Sequence, residues 1–235
     1  MEQPDIAANI AKLHRRLSLA AAKIQKRPEE ITVLAVSKTR PAAMIRTAHA
    51  CGLSAFGENY LQEALDKMAE LTDLPITWHF IGPIQSNKTR DIAAHFHWVH
   101  SVDRLKVARR LDDQRPAGLP PLQVCLQVNI SGEASKSGVA PADLPDLAAA
   151  TLALPRLRLR GLMAIPAPSE VEHEQRLAFA RLRGLQESLN EQLPRVDDEP
   201  ALDTLSMGMS ADLEAAIAEG SNLVRIGTDL FGPRS

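Results

Sequence analysis

Eight short apolar runs, alternating with stretches of helical spacing, constrain this chain more than any other feature of its sequence. The runs fall at 31–39 (ITVLAVSKT), 53–57 (LSAFG), 76–82 (ITWHFIG), 97–102 (HWVHSV), 122–130 (LQVCLQVNI), 157–165 (LRLRGLMAI), 202–208 (LDTLSMG) and 222–227 (NLVRIG). They are too short for buried helices, so they read as strands. Helical stretches are predicted at 58–71, 86–95, 103–114, 141–154, 171–193 and 210–220. The stretch 171–193 puts Ala178, Leu182, Leu185 and Leu189 on one face. Pro41 opens a further helix, at a first-turn position whose N–H has no partner in any case. Ahead of the first strand, residues 5–26 set Ile6, Ile10, Leu13, Leu17 and Ile24 on one stripe of an extra N-terminal helix, which Pro28 ends.

Such alternation, about one unit per 27 residues, means parallel strands joined by right-handed crossovers. Eight units fit a closed (β/α)8 TIM barrel, expected here as a single domain over 1–235. The rival is an open doubly wound sheet, but no GxGxxG follows the first strand. Rings are scarce: five Phe, two Trp and a single Tyr. The core must therefore be filled with Leu, Val, Ile and Ala.

Barrel active sites lie at the C-terminal ends of the strands, with phosphate often held after strands 7 and 8. Lys38 leaves the first strand at that end. Desolvated there, it would supply the neutral amine that imine formation needs. Strand 7 ends in Ser206-Met207-Gly208-Met209-Ser210, and Ser210 reads as the N-cap of the next helix, whose free N–H groups attract an anion. After strand 8, Gly227 lets backbone approach a ligand closely and Thr228 adds a hydroxyl. A lysine opposite a phosphate cup suggests an aldehyde-bearing phosphorylated cofactor, pyridoxal 5′-phosphate (PLP). Arg225 shares a strand face with Gly227. A guanidinium has no acceptor, so beside a pyridine nitrogen it would keep that nitrogen unprotonated and the ring a weak electron sink.

At these residues the sequence resembles the PLP homeostasis protein family. The likeness runs through Ala35-Val36-Ser37-Lys38-Thr39, Gly57 to Glu63 (GENYLQE), Trp78 to Lys88 (WHFIGPIQSNK), Gln127 to Ile130, Ser135-Lys136-Ser137-Gly138, Gly161-Leu162-Met163, Leu205 to Asp212 and Val224 to Phe231. The resemblance implies a fold type III barrel similar to the N-terminal domain of alanine racemase, with PLP held as a Schiff base on Lys38. It implies PLP contacts at Asn59, Ser206, Met209, Ser210, Arg225, Gly227 and Thr228. It also implies a monomer acting in intracellular vitamin B6 balance, delivering cofactor to PLP-dependent apo-enzymes. Lys136 matches a lysine tied to PLP handling away from the main site. Arg40 departs from the lysine that many members carry, which excludes an imine there.

The alternative is a PLP-dependent amino-acid racemase. Racemisation needs acid–base groups on both faces of the substrate, and Lys38 serves one. In the related racemases a tyrosine brought by a partner subunit with a C-terminal β-domain serves the other. Here the single tyrosine, Tyr60, is expected to pack or line the cofactor, and the eight units use the whole length. A third class, a binding or scaffold protein with a vestigial site, is told apart by whether PLP attaches to Lys38.

Other classes find little support. With 27 basic and 29 acidic residues and no basic run, a nucleic-acid surface is disfavoured. The alternating arginines of Arg156-Leu157-Arg158-Leu159-Arg160 read as a half-exposed strand start. His95, His97 and His100 are close in sequence, yet no Cys or carboxylate completes a metal set. Cys51 and Cys125 read as reduced, buried small hydrophobes, which suits a cytoplasmic chain. The first 30 residues hold no signal-peptide core, and no apolar run is long enough to span a membrane.

Overall fold

The computed structural model describes residues 4–133, 136–194 and 202–233; Ser135 of the matched segments lies outside them. Its strands are β1 (Thr32–Val36), β2 (Ala55–Glu58), β3 (Thr77–Phe80), β4 (Trp98–Val102), β5 (Leu122–Gln127), β6 (Leu157–Met163), β7 (Thr204–Ser206) and β8 (Leu223–Ile226). Each lies inside one of the eight apolar runs except β2, which extends one residue past its run to Glu58, a residue expected to open the next helix. Neighbours pair in parallel, and β8 closes on β1 with Thr32 opposite Leu223 and Ala35 opposite Ile226. The closed (β/α)8 barrel is therefore correct, and the open sheet is excluded.

The helices are α1 (Ile6–Lys23), α2 (Ala42–Ala50), α3 (Leu61–Glu70), α4 (Thr89–His95), α5 (Leu105–Gln114), α6 (Leu144–Leu152), α7 (Glu172–Gln192), α8 (Leu213–Ala218) and α9 (Thr228–Phe231). The extra helix α1 starts at an Asp5 cap and buries Ile6, Ile10, Leu13, Leu17, Ala20 and Ala21. It packs across α8 and α9. Each Leu or Ile buried there contributes roughly 1.5–3 kcal/mol.

Strand alternation divides the core in two. Outward residues such as Ala35, Phe56, Phe80, Val99, Val124, Leu162, Val224 and Ile226 join the main core between wall and helices. Inside the barrel, a small apolar group of Leu34, Ala55, Leu223 and Ile81 is accompanied by buried polar side chains.

Three expected boundaries are corrected. The first helix ends at Lys23, well before Pro28, because Ile24 and Lys26 both donate backbone N–H to Ala21 O and Gln25 turns left-handed (φ 57°). Pro28 instead opens a 3-10 turn, Pro28–Glu30. Pro41 is the residue before α2, in extended conformation, not its first turn. On α7 the fully buried positions are Phe179, Leu182 and Leu189, with Ala178 and Leu185 only half-buried.

Cys125 is buried, and its burial pushes the thiol up to about 12; Cys51 is half-buried, and both are free thiols. His97 Nδ1 accepts the Trp78 N–H at 3.0 Å, and His95 Nδ1 lies 2.9 Å from Asp91 O, so these rings serve local structure. Among the described residues no cluster could hold a metal ion, and no helix is long and apolar enough to cross a membrane.

Candidate functional site

At the C-terminal ends of the strands a cavity of about 310 Å³ opens between β1, β2 and β8. Lys38, Asn59, Met209, Ser210, Arg225, Gly227 and Thr228 all line it, with Val36, Ile81 and Ile165 supplying apolar wall. Seven of the eight residues expected at a cofactor site are thus brought together. Larger cavities of about 440 and 450 Å³ are lined by residues at the opposite ends of the strands. Neither has a lysine in its wall.

Period-two alternation explains the lysine. Val36 and Lys38 face the cavity, while Ser37 turns away from it and is fully buried. The same alternation on β8 sends Arg225 inward and Val224 and Ile226 outward. Gly82, just after β3, lies flush against Asn59: a Cβ there would stand 2.2 Å from Asn59 O. That close approach fixes the backbone from which Asn59 reaches the cavity.

Ser206 is the eighth expected residue, and it stands behind the wall, not in it. Arg225 Nη1 donates to Ser206 Oγ at 2.9 Å and also to Ser206 O, while Nη2 donates to Ala164 O at 3.0 Å. All three acceptors are neutral, and burial lowers the guanidinium to about 10. Ser206 Oγ lies 2.8 Å from His100 Nδ1, and His100 Nε2 lies 2.9 Å from His79 Nδ1. His79 stacks on Trp98, with ring centroids 5.4 Å apart, and the Arg160 guanidinium lies 4.9 Å from the centre of the Trp98 ring.

Arg225 can only donate, so Ser206 Oγ accepts from it; the hydroxyl and the two rings share hydrogens in one column running from Ser206 through His100 to His79. Burial lowers His79 to about 3 and holds His100 well below its usual value, so both rings are neutral near pH 7. In the sequence His100 stands out only by its closeness to His95 and His97; the signal for its actual place is that it and His79 both alternate inward on adjacent strands.

The cup after β7 and β8 also differs in detail. Ser210 is not the cap of α8; Asp212 occupies that position. Gly208 turns left-handed (φ 92°), and Asp212 Oδ1 accepts the Met209 N–H at 2.6 Å, so 209–212 forms a turn before the helix. Ser210 Oγ instead accepts the Asp229 N–H at 3.3 Å, joining the β7 loop to α9. Gly227 directly precedes α9, and Thr228 is its first residue. Hydroxyls from two loops thus converge on one end of the cavity.

Two arginines secure this end. Arg16 of α1 makes a two-pronged pair with Glu214, at 2.8 Å on each prong, bonds Asp229, and donates to Ser210 O at 3.0 Å. Nothing in the local sequence around Arg16 signalled this. Arg40 donates to Gly232 O at 2.6 Å and to Pro233 O at 2.7 Å, tying the turn after Lys38 to the segment after α9. Tyr60 does not line the cavity and is 56% exposed.

Comparison with known proteins gives a consistent picture. The family described as "Alanine racemase, N-terminal domain" matches residues 7–235. A Pseudomonas aeruginosa protein named pyridoxal phosphate homeostasis protein is 66% identical over 97% of this chain and 96% of its own length. Its Escherichia coli K12 namesake is 53% identical, over 98% and 97%. PipY of Synechococcus elongatus, solved with PLP bound, is 40% identical with a TM-score of 0.81, covering 97% of this chain and all of that one. The alanine racemase of Corynebacterium glutamicum, at 19% identity and a TM-score of 0.66 over 60% of its length, shares the fold.

Proposed function

This chain belongs to the pyridoxal phosphate homeostasis proteins of the alanine racemase N-terminal domain family, and from that premise we propose that it holds PLP on Lys38. It does so as a cytoplasmic monomer that keeps vitamin B6 in balance and delivers cofactor to PLP-dependent apo-enzymes. The observation that carries this reading is the gathering of Lys38, Arg225 and the Ser210–Thr228 hydroxyls around one cavity. Its volume suits a single phosphorylated ring, at the small end of the roughly 300–1,000 Å³ of ligand pockets.

The residues present fit the group. Asn59 Oδ1 is a buried acceptor without a protein partner, suited to a hydroxyl donor on the ring. Arg225 is a buried cation among neutral acceptors, suited to a ring nitrogen lone pair. PLP supplies, when bound, an aldehyde that the Lys38 amine captures reversibly with loss of one water. Ser210, Gly227 and Thr228 hold the phosphate, and Val36, Ile81 and Ile165 exclude water from the ring. Arg225, unable to accept a proton, keeps the ring nitrogen unprotonated, which suits carriage better than carbanion chemistry. The racemase reading needs a second acid–base group facing Lys38 across the cavity, and exposed Tyr60 does not fill that place.

The test is to incubate the purified protein with PLP, fix it with borohydride and map the modified peptide. We expect the label on Lys38, its loss in Lys38→Ala, and retained weak binding of the phosphorylated ring in that variant. A label elsewhere, or none, overturns the reading. Transfer to an apo-enzyme in the presence of a free-PLP trap then tests delivery. Inversion of single-enantiomer amino acids at ordinary enzyme rates would favour the racemase.

A further inference from the structure

On the far side of the barrel wall from the cavity lies a buried ion cluster that the proposed function leaves without a role. Glu58, fully buried at the end of β2, accepts at Oε1 from Ser37 Oγ (2.6 Å) and from Lys67 Nζ (2.8 Å). Lys67, on α3 and 5% exposed, also donates to Ser37 O at 2.8 Å and to Glu63 Oε1 at 2.5 Å. All three ammonium hydrogens therefore have acceptors. Glu63 Oε1 accepts one more bond, from the backbone N–H of Thr39 at 2.5 Å. Ser37 is thus tied to Glu58 and Lys67, and Thr39 to Glu63, so the residues on both sides of Lys38 are held by one connected cluster.

Thr39 makes the tie informative. It is β-branched, yet its φ is 63°, in the left-handed region that such residues avoid. A backbone held there persists only when its surroundings over-determine it, and such positions cluster at functional sites. The turn is closed by the Arg40 N–H on Ser37 O at 3.0 Å, the same carbonyl that Lys67 grips. Stability alone gives little reason for the cluster, because apolar side chains of similar volume would serve a fold as well. Burial even pushes the Glu58 carboxyl above its ordinary value, against the pull of Lys67 and Ser37, and its Oε2 has no partner.

We propose that Lys67, Glu58 and Glu63 are positioning residues for Lys38: they clamp the chain on both sides of it and aim its amine at a cavity-bound aldehyde. The proposal rests on the reading that Lys38 takes PLP. In that capture a bond forms between the Lys38 nitrogen and the aldehyde carbon, while two amine hydrogens leave with the carbonyl oxygen as one water. The clamp sets the rate of this step, whereas the phosphate cup and Arg225 set the affinity for the ring.

Two measurements on the full-length protein separate these roles. Capture of PLP is followed by its visible absorbance, and non-covalent affinity is read calorimetrically with pyridoxine 5′-phosphate, which has no aldehyde. Lys67→Met and Glu63→Ala are expected to slow capture about tenfold or more, with analogue affinity within about threefold of wild type. Glu63→Gln keeps an acceptor for Thr39 and should retain most of the rate. Adding Thr39→Gly to Glu63→Ala should restore capture, because glycine adopts the left-handed turn without steric cost.

Unchanged capture in Lys67→Met and Glu63→Ala overturns the proposal. So does a parallel fall of capture and analogue affinity that Thr39→Gly does not rescue, since that marks a merely structural role. If Lys67→Met fails to fold, the half-exposed Glu63 series decides alone. Absence of capture in the wild-type protein overturns the reading of Lys38 itself, and the clamp with it.

Discussion

Arg225 and Ser206, on neighbouring strands, are joined side chain to side chain at 2.9 Å, and this bond makes the cavity wall continuous with the polar interior of the barrel. Ser206 is the one hydroxyl between a donor-only guanidinium and the His100 ring.

Replacing Ser206 by alanine leaves His100 Nδ1 without its hydroxyl partner and removes one of two acceptors from Arg225 Nη1. An unpaired buried polar group costs about 1–3 kcal/mol, so Ser206→Ala should lose stability in that range. Urea unfolding of the cofactor-free protein measures it. A variant as stable as the parent would show that the column of polar side chains is not held together by this hydroxyl.

The histidines give the fold an acid side. His79 titrates near 3 when folded and near 6.5 when unfolded, and His100 is shifted in the same direction. Their contribution is therefore complete above about pH 6.5 and is lost as the pH falls toward the folded value. By pH 5 the loss from His79 amounts to roughly 2 kcal/mol. Glu58 acts in the opposite sense: its folded value is raised, so its contribution is present below the ordinary carboxylate range and fades as pH rises through the folded value. Comparing His79→Gln with the parent at pH 7 and pH 5 isolates the histidine share. The variant should lose less stability on acidification, and equal losses would refute the assignment.

Arg16 reaches from the extra helix to the end of the cavity lined by Ser210 and Thr228, so its effect should be read in binding. Its partners are partly exposed, which limits the tie to about 1 kcal/mol, or a three- to tenfold weaker affinity for pyridoxine 5′-phosphate in Arg16→Met. Calorimetry tests this. An affinity unchanged within the error of the measurement means that Ser210 and Thr228 keep their places without α1.

Gly82 admits no side chain. The nearest atoms to a new Cβ are the O, C and Cα of Asn59, at 2.2, 2.8 and 2.8 Å, and backbone does not yield as a flexible side chain would. Gly82→Ala should cost about 1–3 kcal/mol and weaken analogue binding through Asn59. Thermal unfolding and calorimetry on the same preparation check both. Full stability with intact binding would mean that the β3 loop relaxes freely.

Local pattern carried a great deal of this fold. The strands were legible because each is a short run of aliphatic residues bounded by turn chemistry. Lys38, Arg225 and Gly227 were legible because period two assigns each a face. What escaped depends on register between distant elements. His100 meets His79 and Ser206 only once β3, β4 and β7 curl toward one axis, and the partners of Arg16 lie about 200 residues away. Ser210 was misread as a helix cap because Asp212 and the left-handed Gly208 build a turn that no S-x-x-E pattern announces. The Glu63–Lys67 pair has the i,i+4 spacing of an ordinary surface bridge, and nothing local says that its lysine is buried.

The closure of β8 on β1 carries one more consequence. In chain order Lys38 and Thr228 stand near opposite ends, yet the cavity needs them side by side across the seam where the first strand meets the last. This is among the contacts of longest sequence separation, the kind that is slowest to form. A chain still threading its later strands has the lysine but not the cup. Occupancy of the cavity therefore certifies a finished barrel, and parting of this one seam would surrender the amine and the anion hold together.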